Sequence, residues 1–332
     1  MDRIKNVFGA FLLLIAQGAV FARAEEKAAP PPQVVDGYQY DRPGWFTWLK
    51  NEPSDLKDCW KKTFRKENTV NLSLLVVGTG LLIAADQSLY KKTYRWGTKE
   101  KISHNGQQRP FIKTTLPGTH YMVRLSGPHN FGTDLYFLGD GITHFSIAGG
   151  FLVFGLVRDD DRALQTSSQL VESIISTGFV VQVLKHVTGR EDPVVNTRSG
   201  GRWRFFPNQK DYAKHVNKYD AYPTGHLATA MATVTVIAQN YPEYTFVRPL
   251  GYTLMTACGL EMVNNGVHWY SDYPLGIYLG YEFAQIAVRR GRKVQDQQVS
   301  SLEIYPAFVG KTPTMQAAYR FSIPPSSKDE VD

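Results

Sequence analysis

Six apolar segments, at about 69–85, 143–157, 168–186, 226–240, 246–264 and 272–289, set the first limit on what this chain can fold into. Each is long enough for a helix and several carry Gly or Thr. Joined by two long loops, at about 87–142 and 187–225, they read as an all-α six-helix bundle occupying residues 69–292.

The flanks differ from this domain. Residues 1–24 run from a charged start (Asp2, Arg3, Lys5) through an apolar stretch, Val7 to Phe21, to Ala22-Arg23-Ala24. That is the layout of a secretory signal with a small-residue cleavage site, so the mature protein is expected to begin near Glu25 and to reside in the periplasm or cell envelope. Residues 25–68 read as an N-terminal linker or extension, flexible over 25–45 where Pro and Ala are frequent. In the tail, 293–332, the alternation in SLEIYPAF and MQAAYRFSI around Gly310-Lys311-Thr312-Pro313 predicts a β-hairpin.

Whether the bundle crosses a membrane turns on the polarity of the segments. The third contains Gln169, Glu172 and Gln182, and the sixth Glu282 and Gln285; mean hydropathy is −0.28. These features favour a soluble or peripheral bundle, with an integral membrane form as the alternative. The basic loops, with Lys91, Lys92 and Arg95 in one and Arg198, Arg202 and Arg204 in another, suit the integral form by the positive-inside rule. A net charge of +7 without any Lys/Arg-rich block points to anionic partners other than nucleic acid. Two cysteines exclude a disulfide framework or a cysteine-based metal site. One bridge between Cys59 and Cys258 stays open, although Cys258, within an apolar segment, reads as a small core residue.

Three stretches at the segment ends carry residue types that suit a single reaction. Lys185-His-Val-Thr-Gly-Arg190-Glu-Asp-Pro193 closes the third segment, Tyr219-Asp-Ala-Tyr-Pro223-Thr224-Gly225-His226 opens the fourth, and Asn264-Asn-Gly-Val-His268-Trp-Tyr-Ser-Asp272 lies between the fifth and sixth. In an up-down bundle all three meet at one end. Asp272, four residues beyond His268, can hold one imidazole nitrogen and leave the other free to attack phosphorus. Thr224 and Gly225 at a helix start suit an anion. His226 can protonate the leaving oxygen, and Lys185 supplies positive charge to the phosphoryl oxygens. His144, His186 and His215 read as ordinary surface or core histidines, and no ligand cluster joins His268 and Asp272 into a metal site.

The order and spacing of these stretches resemble the type 2 phosphatidic acid phosphatase (PAP2) family, which shares its helical bundle with bacterial acid phosphatases and vanadium haloperoxidases. The family's motifs are K-x6-R-P, P-S-G-H and S-R-x5-H-x3-D. The resemblance implies His268 as a nucleophile forming a phosphohistidine, Asp272 as its orienting partner, His226 as general acid, and Lys185, Thr224 and Gly225 as phosphate binders. It implies no metal or other cofactor, and a phosphomonoester or lipid (pyro)phosphate as substrate. Asp192 and Met262 stand where the motifs have arginine, which removes two bidentate phosphate donors. Arg190, two residues before Asp192, is the candidate to replace them. A catalytically impaired relative that binds an anionic lipid or envelope partner is the alternative, and a haloperoxidase a weaker third. Trp203, Phe205, Phe206 and Trp269 near the site suit an amphiphilic substrate or a plain core.

Overall fold

The computed structural model describes residues 33–35, 37–44, 46–104, 109–115, 122–294, 301–309 and 312–320. The expected signal segment, 1–24, lies outside them.

The six apolar segments are helices: α2 (Thr69–Lys99), α4 (Gly141–Arg158), α5 (Asp161–Thr188), α7 (His226–Asn240), α8 (Val247–Asn264) and α9 (Tyr273–Gly291). Three further helices, α1 (Thr47–Thr63), α3 (Phe131–Phe137) and α6 (Gln209–Lys214), precede or join them. Sequence reasoning missed α1, whose charged, Pro-containing sequence hides its helical period. Side-chain caps start several of these elements. Asp140 accepts from Ile142 N–H at the start of α4, and Asp160 from Ala163 N–H at the start of α5. Asp159, in the left-handed conformation (φ 53°), makes the sharp turn between those two helices.

α5 is the central helix, packing on α1, α4, α7 and α9. Leu170, Val171 and Ile174 of α5 meet Phe145 and Ala148 of α4, Ala232 and Val236 of α7, and Ala284 and Val288 of α9 in one apolar cluster. Cys258 lies in a second cluster with Tyr136 and Met262, and Cys59 in a third; both cysteines are buried and unbridged.

Part of the expected linker is ordered structure. Strands β1 (Gln33–Val35) and β2 (Tyr38–Tyr40) pair antiparallel, and β2 also pairs with β5 (Arg292–Val294), which follows α9 directly. Tyr40 anchors this sheet. It is buried, and its hydroxyl donates to the Asn240 carbonyl, which also accepts from Arg162 Nε at 2.6 Å. The expected 87–142 loop is shorter than its sequence suggests, because α2 runs on to Lys99 and β3 (Arg109–Thr115) pairs with β4 (Met122–Gly127) before α3. In the tail, β6 (Ser301–Val309) and β7 (Thr312–Arg320) form the predicted antiparallel hairpin.

Among the described residues, three helices are long and apolar enough to cross a membrane, spanning Lys66–Lys99, Gly141–Arg158 and Asp161–Thr188, and all are compatible with membrane association. In the first of these the apolar window is only 6% buried within the protein. Val70, Leu74, Val76, Val77 and Leu81 on α2 and Val153, Phe154 and Val157 on α4 face outward. Of the acids and amides that argued for a soluble bundle, Gln182 is exposed and Gln285 half-buried. Gln169, Glu172 and Glu282 are buried inside the bundle, so their polarity is not presented to the surroundings.

Candidate active site

The end of α5 is shaped by Gly189, whose φ of 53° turns the chain inward. A Cβ there would stand 2.2 Å from the Arg204 carbonyl oxygen, so no larger residue fits. The turn carries Arg190 to full burial, where its backbone bridges to Trp203 on one side and to Asp220 on the other. The segments that end α5 and precede α7 are thereby joined. Glu191 secures the outer part of the same loop by accepting from Arg204 at 2.6 Å, from Arg202 N–H at 2.9 Å and from Thr197. Burial pushes the Glu191 carboxyl up, but these donors outweigh it and hold its pKa below the ordinary value.

Thr224 and Gly225 stand before α7, with Gly225 as its N-cap. The Thr224 N–H donates to the Asp272 carbonyl at 3.0 Å, which fastens this turn to the 3-10 turn Tyr270–Asp272. His226, the first residue of α7, is half-buried, packs on the Tyr136 ring at 4.3 Å and faces His268 with ring centroids 6.4 Å apart.

His268 is 1% exposed. Its Nδ1 lies 2.6 Å from the Ala221 carbonyl oxygen and 3.5 Å from Asp272 Oδ2. A carbonyl only accepts, so Nδ1 carries the proton in this contact. The closer tautomer-fixing group is thus a backbone carbonyl, with Asp272 behind it. Asp272 itself is completely buried: Oδ2 accepts from Trp269 N–H at 2.6 Å, and Oδ1 from Arg190 at 2.5 Å.

Lys185, 4% exposed, points Nζ at Asp220 Oδ2 at 3.1 Å, and Tyr212 donates its hydroxyl to Asp220 Oδ1 at 2.5 Å. Lys185, Arg190, Thr224, Gly225, His226, His268 and Asp272 therefore come together at one end of the bundle. Arg190 does so in an unexpected way. Its Nη1 donates to Asp272 and Ser271, and its Nη2 to Asp86 at 2.7 Å and to the Gly200 carbonyl. Its guanidinium lies over Trp203 at 4.7 Å and over Trp269 at 5.4 Å. Those two indoles belong to this packing, whereas Phe205 and Phe206 are exposed.

Where the PAP2 motifs have arginine, Met262 is completely buried, with the Thr224 hydroxyl 4.0 Å from its sulfur, and Asp192 is buried with its N–H bonded to the Asn217 carbonyl. Three buried acids, Asp86, Asp220 and Asp272, accompany two buried bases, Lys185 and Arg190. Asp86 escaped sequence reasoning because it falls one residue past an apolar run, where a helix end was expected. Tyr222 was also missed. Burial, reinforced by Asp272 and opposed by Arg190, pushes its hydroxyl up to about 12. Among the described residues, no group of three or more His, Cys, Asp or Glu side chains is placed to hold a metal ion.

The family model of the PAP2 superfamily matches residues 167–296, a stretch that contains every residue of this cluster except Asp86. Over that stretch the chain is similar to the PAP2 superfamily. Among solved structures, the crystal structure of Aquifex aeolicus LpxE is similar at 18% identity, with 48% of this chain and 84% of that chain covered and a TM-score of 0.35. No curated protein matches the chain. The match supports a phosphatase-type function and a phosphorylated or lipid substrate in general terms.

Proposed function

We propose that this protein is a PAP2-type enzyme that hydrolyses a phosphomonoester or a lipid (pyro)phosphate through a phosphohistidine on His268. The observation that carries the proposal is the 2.6 Å contact from His268 Nδ1 to the Ala221 carbonyl, which leaves Nε2 as the unprotonated nucleophile. Nε2 attacks phosphorus, a P–N bond forms and the ester P–O bond breaks, while His226 gives its proton to the leaving oxygen. Water then gives a proton back to His226 and attacks the phosphohistidine, the P–N bond breaks, and inorganic phosphate leaves with both imidazoles restored. Asp272 steadies the positive charge that develops on His268. Lys185 exchanges Asp220 for the phosphoryl oxygens, and the Thr224-Gly225 turn supplies N–H groups and the positive end of α7.

The compatibility of three helices with membrane association supports a lipid-borne substrate. The apolar run of α2 is flanked by Lys61, Lys62, Arg65 and Lys66 on one side and by Lys91, Lys92 and Arg95 on the other, with Trp60, Tyr94 and Trp96 exposed near the two ends. Basic and aromatic residues at both ends of an apolar helix match the two polar interfaces of a bilayer.

A second reading is favoured by the charge balance. With both buried bases already paired and two motif arginines absent, a protein that binds an anionic lipid or envelope partner without turning it over is the alternative. Both are tested by phosphate release from a panel of lipid and soluble phosphates, in chelator, with the native chain and His268→Ala. Release that depends on His268 is expected; equal rates would sink the enzymatic reading and leave the binder.

A further inference from the structure

Asp86 and Arg190 are both completely buried, yet neither takes part in the bonds made and broken at phosphorus. Asp86 reaches the site from α2, a helix outside the matched family stretch. Its Oδ1 accepts from Ser271 N–H at 3.1 Å, and its Oδ2 accepts from the Ser271 hydroxyl at 2.5 Å and from Arg190 Nη2 at 2.7 Å. Arg190 continues the line through Nη1 to Asp272 Oδ1 at 2.5 Å, and Asp272 Oδ2 faces His268 Nδ1 at 3.5 Å. Acid, base, acid and imidazole thus follow one another through the protein interior, where charges act on each other with little screening.

We propose that Asp86 acts through Arg190 to set how strongly Asp272 holds positive charge on His268, so that Asp86 and Arg190 are positioning residues for the His268–Asp272 pair and Arg190 is not a ligand of the substrate. The catalytic meaning of this rests on the phosphatase reading, but its physical content does not need turnover. A guanidinium shared between two acids leaves each with part of its charge. When Asp86 is made neutral, Arg190 acts on Asp272 alone and the imidazolium loses support. When Arg190 is made neutral, Asp272 regains its full charge and the imidazolium gains support.

The other groups that face the imidazole are His226 of α7 and Tyr273 of α9, each with its ring centroid 6.4 Å away. Tyr222 stands beside Asp272, and the Lys185–Asp220 pair, from α5 and the loop before α7, closes the same side of the site. Tyr222 is itself acted on by Arg190, so Asp86→Asn is the variant whose shift reports the Asp86–Arg190 arm most directly.

The test is a pH titration of the full chain labelled with 13C at histidine Cε1, the His268 resonance being assigned by its loss in His268→Gln. The midpoint in Asp86→Asn is expected below that of the native chain by about half a pH unit or more, and in Arg190→Gln above it. Should Arg190→Gln not fold, Asp86→Asn still decides. A midpoint in Asp86→Asn equal to or above the native one overturns the proposal. In the same variants the acid limb of kcat/KM should move with the midpoint. A shifted midpoint without phosphate release from any chain upholds the positioning role and removes the phosphatase reading; release without a shifted midpoint does the reverse.

Discussion

Replacing Gly276 with alanine probes how closely α9 must approach the Thr224 turn. An alanine Cβ at this position would stand 2.5 Å from the Thr224 carbonyl oxygen and 2.7 Å from Thr224 Cγ2. Ordinary contact begins near 3.4 Å, so the turn or the helix must give way by about 0.9 Å in a close-packed interior. Overpacking of this kind costs about 1–3 kcal/mol. The turn that moves holds Thr224 and Gly225 and is bonded to Asp272, so the site moves with it. A misplacement of about 1 Å at a reacting centre lowers the rate on the order of 100-fold. Gly251→Ala is the control. Its Cβ would meet Val234 Cγ2 at 2.4 Å, at a point of α7 eight residues beyond His226, so a similar loss of stability should leave turnover per folded molecule nearly intact. Denaturant unfolding gives the stability of each variant, and phosphate release at saturating substrate gives kcat. The reasoning fails if Gly276→Ala keeps native stability and kcat, or if Gly251→Ala loses as much turnover as Gly276→Ala.

Three further outcomes are expected. Burial pushes the Glu261 carboxyl from 4.5 up to about 7, against hydrogen bonds from Asn264 and Asn265. The folded chain therefore keeps a proton that the unfolded chain loses, and the native protein should lose stability relative to Glu261→Gln as pH rises from 4.5 to about 7, then run parallel to it; parallel curves across that window contradict this. Glu191 has the opposite sign. Its support is present above pH 4.5 and lost on acidification, so Glu191→Gln should be about 2 kcal/mol less stable at neutral pH and converge on the native chain in acid, as followed by unfolding curves. Leu81, 69% exposed on the apolar face of α2, tests the membrane contact. In water Leu81→Glu should change stability by less than about 0.5 kcal/mol, whereas against lipid it should release the protein from the membrane fraction, and unchanged fractionation counts against the bilayer.

The helices themselves were legible because apolar periodicity is a local property, and six long runs can only be buried as helices. The tail hairpin was legible for the same reason, through its alternation of period two. The site was readable in outline: Lys185, the Pro223-Thr224-Gly225-His226 turn and His268 with Asp272 all lie at segment ends, and topology alone carries segment ends to one place. Strands β1 and β2 were not legible, since three-residue strands carry almost no pattern and exist only because β5 offers an edge and Tyr40 finds Asn240. Likewise the polar residues of α5 and α9 could be read from sequence, but not the direction they face, and that direction decides what the outside of the bundle presents.

Within the candidate site, the sequence by itself determined which chemical groups are available: two histidines, one lysine, and no arginine at positions 192 and 262. Only the tertiary structure decided what those groups do to one another. Arg190 read as the replacement phosphate donor because it stands two residues from Asp192, but Gly189 turns it inward to Asp86 and Asp272. The proton on His268 Nδ1 is fixed first by the Ala221 carbonyl, a group that every residue carries and that no motif can announce. Burial makes each of these pairings strong, and burial depends on contacts between residues as far apart as Asp86 and Ser271, which are set by how the helices pack.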